Sequence, residues 1–153
     1  MGRFFRRKKS KNKKIKNATP LMVDGVQYRS KLEAYCASQL KENGIKAEYE
    51  KNTYTLIPAF EYGGEKIRPC TYTPDFVSEE DSFIIEIKGF ANDAFPIKWK
   101  MFKMFLKENE EEVSLYLPKN QKEVQSTIQS ILAKRKLNDK TSTNTSGDKP
   151  ASK

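Results

Sequence analysis

The run TYTPDFVSEEDSFIIEIK, residues 71–88, decides how this chain folds. Its second half alternates: Phe83, Ile85 and Ile87 fall on one side of an extended strand, and Ile84, Glu86 and Lys88 on the other. One side reads as core and the other as open. The first half is extended too, and the acidic turn at residues 78–82 returns the chain antiparallel, which brings Asp75 beside Glu86. Burying a lone carboxylate or ammonium in so apolar a strand costs several kcal/mol. Taken singly, a Glu–Lys pair on a solvent-facing half of a sheet and a turn-edge aspartate after proline are ordinary features. Taken together, two carboxylates roughly 4 Å apart repel by about 4 kcal/mol at an effective dielectric of about 20. The pair therefore calls for a cation or a raised pKa. Oxygen ligands without histidine favour Mg²⁺ or Mn²⁺ over zinc.

Upstream of this run, Asp24-Gly25 is a favoured two-residue turn for a small hairpin. A helix is expected over residues 31–43, with Leu32, Tyr35, Cys36 and Leu40 at helical spacing and Gly44 to end it. Three extended segments are then expected at residues 47–57, 66–77 and 83–88, forming an antiparallel meander. Downstream, Pro96 suits the first turn of a second helix that carries Phe95, Trp99, Phe102 and Leu106 on one side. Residues 113–117 read as a short strand broken by Pro118, and residues 121–136 as a last helix with Val124, Ile128, Ile131 and Leu132 on one face. The fold class is α/β, in the order helix, three strands, helix, strand, helix. Trp99, Tyr72 and Phe76 are read first as packing residues.

The 153 residues suffice for one domain with tails. Residues 1–19 form a basic arm expected to be disordered, residues 20–137 the domain, and residues 138–153 a polar tail with little to bury. The net charge of +9 has an address: nine Lys or Arg and no acid lie within residues 1–17, and elsewhere bases and acids cancel. Arg3, Arg6, Arg7, Lys8, Lys9, Lys11, Lys13 and Lys14 of this arm are candidate contacts to a nucleic-acid backbone. A solubility tail or localisation signal would look similar. Histidine is absent, which excludes imidazole-based triads, zinc sites and general bases. Cys36 and Cys70 lack the number and spacing of a disulfide framework. No run approaches the roughly 20 apolar residues of a membrane helix. These features lead us to expect a soluble intracellular protein with no small-molecule cofactor.

Pro74-Asp75, ten intervening residues and then Glu86-Ile87-Lys88 resemble the signature of the PD-(D/E)XK nucleases. The upstream Ser30-Lys31-Leu32-Glu33, with Leu56 to Phe60 and Ile97 to Lys100, is similar more narrowly to small phage nucleases of the endonuclease I type of Holliday-junction resolvase and to transposon-end nuclease subunits. The resemblance covers about residues 20–118 and implies a restriction-endonuclease-like core. It further implies phosphodiester hydrolysis of DNA during recombination or a related step, with branched DNA as substrate and a homodimer as the working unit. Asp75 and Glu86, with Glu33 and the carbonyl of Ile87, would hold one or two Mg²⁺ ions. The cation would activate water, and Lys88 would orient it or offset charge on the phosphate. Ser30 and Glu33 also form a capping-box pattern, a second role for the same carboxylate. Lys98, Lys100 and Lys103 on the second helix are candidate phosphate contacts, or else part of a solvated face with Lys107. The competing function is a non-catalytic nucleic-acid-binding or virion-associated protein that keeps the nuclease fold.

Overall fold

The computed structural model describes residues 20–89, 94–109 and 111–143. The basic arm, with its contacts from Arg3 to Lys14, and residues 144–153 lie outside the described residues. The first hairpin forms as expected, β1 (Leu21–Val23) against β2 (Val26–Tyr28). Asp24 and Gly25 both take positive φ, the geometry that a tight two-residue turn demands. Helix α1 (Lys31–Glu42) starts at Ser30, whose side chain accepts from the Glu33 N–H. It ends where Gly44 turns left-handed at φ +62.

The first two extended segments each divide. Residues 47–57 break at Glu50, which adopts φ 47, so β3 (Glu48–Tyr49) and β4 (Tyr54–Ile57) join different sheets. Residues 66–77 break at Pro69 and Pro74 into β6 (Glu65–Ile67), β7 (Cys70–Tyr72) and β8 (Phe76–Ser78). Proline cannot donate to a ladder, and two in one segment should have argued against a single strand. Between them, β5 (Phe60–Tyr62) pairs with β6 across Gly63-Gly64, and β4 pairs with β7.

The central sheet has the order β10-β9-β8-β3, with β9 at Phe83–Ile85 and β10 at Ser114–Tyr116. β3, β8 and β9 run antiparallel in turn, so the expected meander survives in spatial order although β4 to β7 interrupt it in sequence. β10 is parallel to β9, and helix α2 (Phe95–Glu108) lies in the connection that parallel neighbours require. Strand β9 is assigned only to Ile85, but the Glu86 and Lys88 N–H groups still donate to Tyr116 and Pro118 carbonyls. The backbone stays extended through the motif.

Both faces of the sheet are covered, which corrects the one-sided reading. Phe83, Ile85 and Ile87 pack with Phe76 into a cluster containing Cys36 and Leu40 of α1 and Val124, Ile128 and Ile131 of α3 (Gln121–Thr143). On the opposite face Ile84, only 1% exposed, packs with Val77 and Tyr72 against Phe95, Trp99, Phe102 and Leu106 of α2. Glu86 and Lys88 thus belong to a packed face and not to a solvated one. Helix α3 continues to Thr143, seven residues past the expected end. No Gly or Pro interrupts residues 119–146, and Arg135 is tied to Asp81 through its Nε at 2.9 Å, so nothing stops the helix at 136.

Candidate active site

The β8–β9 register decides where the two motif carboxylates stand. Phe76 pairs with Ile85, so Asp75 and Glu86 occupy the next position along the ladder and share a face. Asp75 Oδ2 accepts the Ile87 N–H at 2.6 Å, a bond that crosses between the two strands. Its carbonyl accepts the Glu50 N–H at 2.9 Å, which fastens the β3–β4 bend to the same point. Glu86 is 5% exposed. Its Oε2 accepts from the Tyr72 hydroxyl at 2.7 Å and its Oε1 from the Lys88 ammonium at 3.3 Å. Lys88 also lies 4.4 Å from the Phe95 ring centroid, so its charge is held between a carboxylate and an aromatic face.

Electrostatics follow from this crowding. Burial, then the neighbouring Glu86 charge, pushes the Asp75 carboxyl up to about 8. Burial also raises Glu86, against the opposing pull of the Tyr72 hydrogen bond and the Lys88 charge. Tyr72 is itself raised, by burial and by the Glu86 carboxylate that it serves. Behind the site, burial followed by the charges of Asp75 and Glu33 pushes the Cys36 thiol up to about 12, which leaves it an inert core group.

Glu33, 7% exposed, comes to the same cleft but is heavily engaged. Its Oε1 accepts from Ser30 Oγ at 2.7 Å, while its Oε2 accepts from the Arg29 N–H at 3.0 Å and from the Tyr49 hydroxyl. Glu33 N–H donates to Ser30 Oγ at 3.1 Å, which is one half of a capping box, while the Glu33 carboxylate takes the Arg29 N–H one residue ahead of the N-cap. Among the described residues no group of three or more His, Cys, Asp or Glu side chains is placed to hold a metal ion.

These groups open onto a cleft of about 390 Å³ whose walls include Arg29, Glu50, Thr71, Tyr72, Lys88 and Lys98. Lys98 is fixed at the rim by donating to the Thr71 carbonyl at 3.2 Å. Lys100, Lys103 and Lys107 are exposed and are not among the residues lining the cleft; the Lys103 ammonium sits 5.6 Å from the Trp99 ring. Reading the sequence missed Tyr72, taken only as packing, and Glu50, whose left-handed bend no local motif announces. Simple alternation would put Tyr72 and Asp75 on opposite faces; the break at Pro74 between β7 and β8 lets both reach Glu86, and no local rule in the sequence announces it.

The family model described as protein of unknown function (DUF1064) matches residues 7–122. The chain belongs to this family. No curated protein and no solved structure matches it. The DUF1064 match runs from within the basic arm to the first turn of α3, so it contains Glu33, Asp75, Glu86 and Lys88 and leaves most of α3 outside.

Proposed function

We propose that this DUF1064 protein is a divalent-metal-dependent DNA endonuclease that hydrolyses phosphodiester bonds in the Asp75–Glu86–Lys88 cleft. The observation that carries the reading is the shared ladder position of Asp75 and Glu86, with Lys88 two residues on and bonded to Glu86. Two raised carboxyl groups side by side are the donor set that a hard cation stabilises, and Mg²⁺ characteristically takes one or two carboxylates and completes its shell with water and substrate phosphate. Asp75, Glu86 and the Ile87 carbonyl fit that pattern without a third acid. When bound, the cation would polarise the phosphate and lower the pKa of water.

The chain's own residues supply the rest. Tyr72 holds Glu86 in one orientation through a buried hydrogen bond, and the Ile87 N–H does the same for Asp75. Lys88 places a positive charge where the phosphate gains negative charge, and Lys98 adds a second at the rim. Glu33 anchors the start of α1 against Tyr49 and Arg29 and so sets the cleft wall. On the resemblance, the substrate is branched DNA and the working unit a homodimer with two sites cutting opposing strands. The basic arm would add sequence-independent phosphate contacts.

The test is a cleavage assay offering linear, nicked, single-stranded and four-way DNA in Mg²⁺, Mn²⁺ or EDTA. Cleavage of at least one substrate that EDTA abolishes is the expected result. Binding without cleavage on all four would instead favour a basic-armed binding protein.

A further inference from the structure

β4 and β7 leave the candidate site as a pair, and beyond Pro58 and Pro69 the same two chain segments continue as β5 and β6 to the turn at Gly63-Gly64. The result is one long two-stranded ribbon. Its root is a wall of the cleft, through Thr71 and Tyr72, and its far half is bare: residues 57–66 are all exposed. Since neighbouring residues alternate in direction, exposure of every one leaves both faces of the ribbon open. On one face stand Phe60, 48% exposed, and Tyr62, 78% exposed, opposite Ile67 and Glu65. An isolated hairpin is marginal in water, and aromatic rings held out from it gain nothing from the protein's own core.

We infer that this ribbon is a second DNA contact of the same enzyme, entering a groove of the duplex that flanks the scissile bond and laying Phe60 and Tyr62 against the bases. The inference rests on the nuclease reading. A polymer seated in a cleft of about 390 Å³ extends beyond it, and on this side it meets the ribbon. A two-stranded ribbon fits the major groove of B-DNA, and exposed aromatic rings serve as wedges or stacking surfaces against bases. Lys66 pairs with Glu61 on the face opposite Phe60 and Tyr62, so the phosphate contact on this path comes from Lys98 at the ribbon's root. Edge pairing with a second copy is disfavoured, because Pro58 and Pro69 remove backbone donors from the ribbon. At about 3.3 Å per residue the arm from Thr71 to Gly64 reaches roughly 20–25 Å, or about six to seven base pairs.

The full chain and its Phe60→Ala/Tyr62→Ala variant are compared on duplexes whose flank on one side of the cut is shortened stepwise. Affinity is measured in EDTA and cleavage in Mg²⁺. Both substitutions are on exposed positions, and circular dichroism checks the fold. The variant should bind at least about fivefold more weakly, the low end of base-stacking effects. Shortening the flank below about six base pairs should weaken the wild type by a similar factor and leave the variant indifferent. Equal affinities and equal flank dependence would overturn the proposal, as would sedimentation showing that the variant has lost a dimer that the wild type forms. Because affinity is read without metal, a protein that binds but never cuts defeats the nuclease reading while the ribbon is judged on its own.

Discussion

The surroundings of Asp75 oppose its ionisation. Its carboxyl is raised from the ordinary value to about 8, first by burial and then by Glu86. Between about pH 4 and about pH 8 the folded protein therefore holds a proton there that the unfolded chain has released, and this group makes stability fall as pH rises through that window. In EDTA the melting temperature should decline over that range, and Asp75→Asn should flatten the decline; an unaltered profile in the variant would show that the carboxyl is not the strained group. On the proposed metal-dependent function, added Mg²⁺ should raise the melting temperature more at pH 8 than at pH 5, because a cation would bind the deprotonated pair. Tyr72 gives a second test at this scale. Its hydrogen bond lowers the Glu86 pKa, so Tyr72→Phe should move the acid limb of the cleavage pH profile upward; a profile that merely drops in height would reduce Tyr72 to packing.

Helix α1 and the β8–β9 hairpin hold these residues in place. Ser30 caps α1 and at the same time binds Glu33. Ser30→Ala should cost about 1 kcal/mol and a few degrees of melting temperature. Glu33→Gln keeps the capping geometry and loses the charge; it should retain cleavage within about tenfold of wild type, and a loss as deep as that of Asp75→Ala would return Glu33 to the ligand set. At this scale the sequence was legible where one local rule governs an element. Alternation in residues 83–88, the helical spacing of Phe95, Trp99, Phe102 and Leu106, and the Asp24-Gly25 turn all appear where expected. Asp75 and Glu86 could be placed on one face because hairpin register follows from the two strands alone. What was not legible depended on distant partners. The bend at Glu50 is held by the Asp75 carbonyl, the break at Pro74 sends β7 to pair with β4 and not with the central sheet, and Arg135 of α3 meets Asp81 far away in sequence.

Across the molecule, two helices on one face of the sheet and one on the other leave the carboxylates at the end where β8 and β9 meet the root of the ribbon. Among the described residues no helix is long and apolar enough to cross a membrane. The basic arm is the largest charge asymmetry in the chain. Deleting residues 1–17 should weaken DNA binding and flatten its salt dependence by about 0.9 in log–log slope for each phosphate released; an unchanged slope would remove the arm from the interface. The most direct measurement of the central claim is cleavage by purified Asp75→Ala and Lys88→Ala proteins in Mg²⁺, with DNA affinity measured alongside in EDTA. Each substitution should slow cleavage by about a hundredfold or more while affinity stays within about threefold of wild type, because the arm and the ribbon are intact. Cleavage at the wild-type rate by either variant would contradict the assignment of this cleft as the active site.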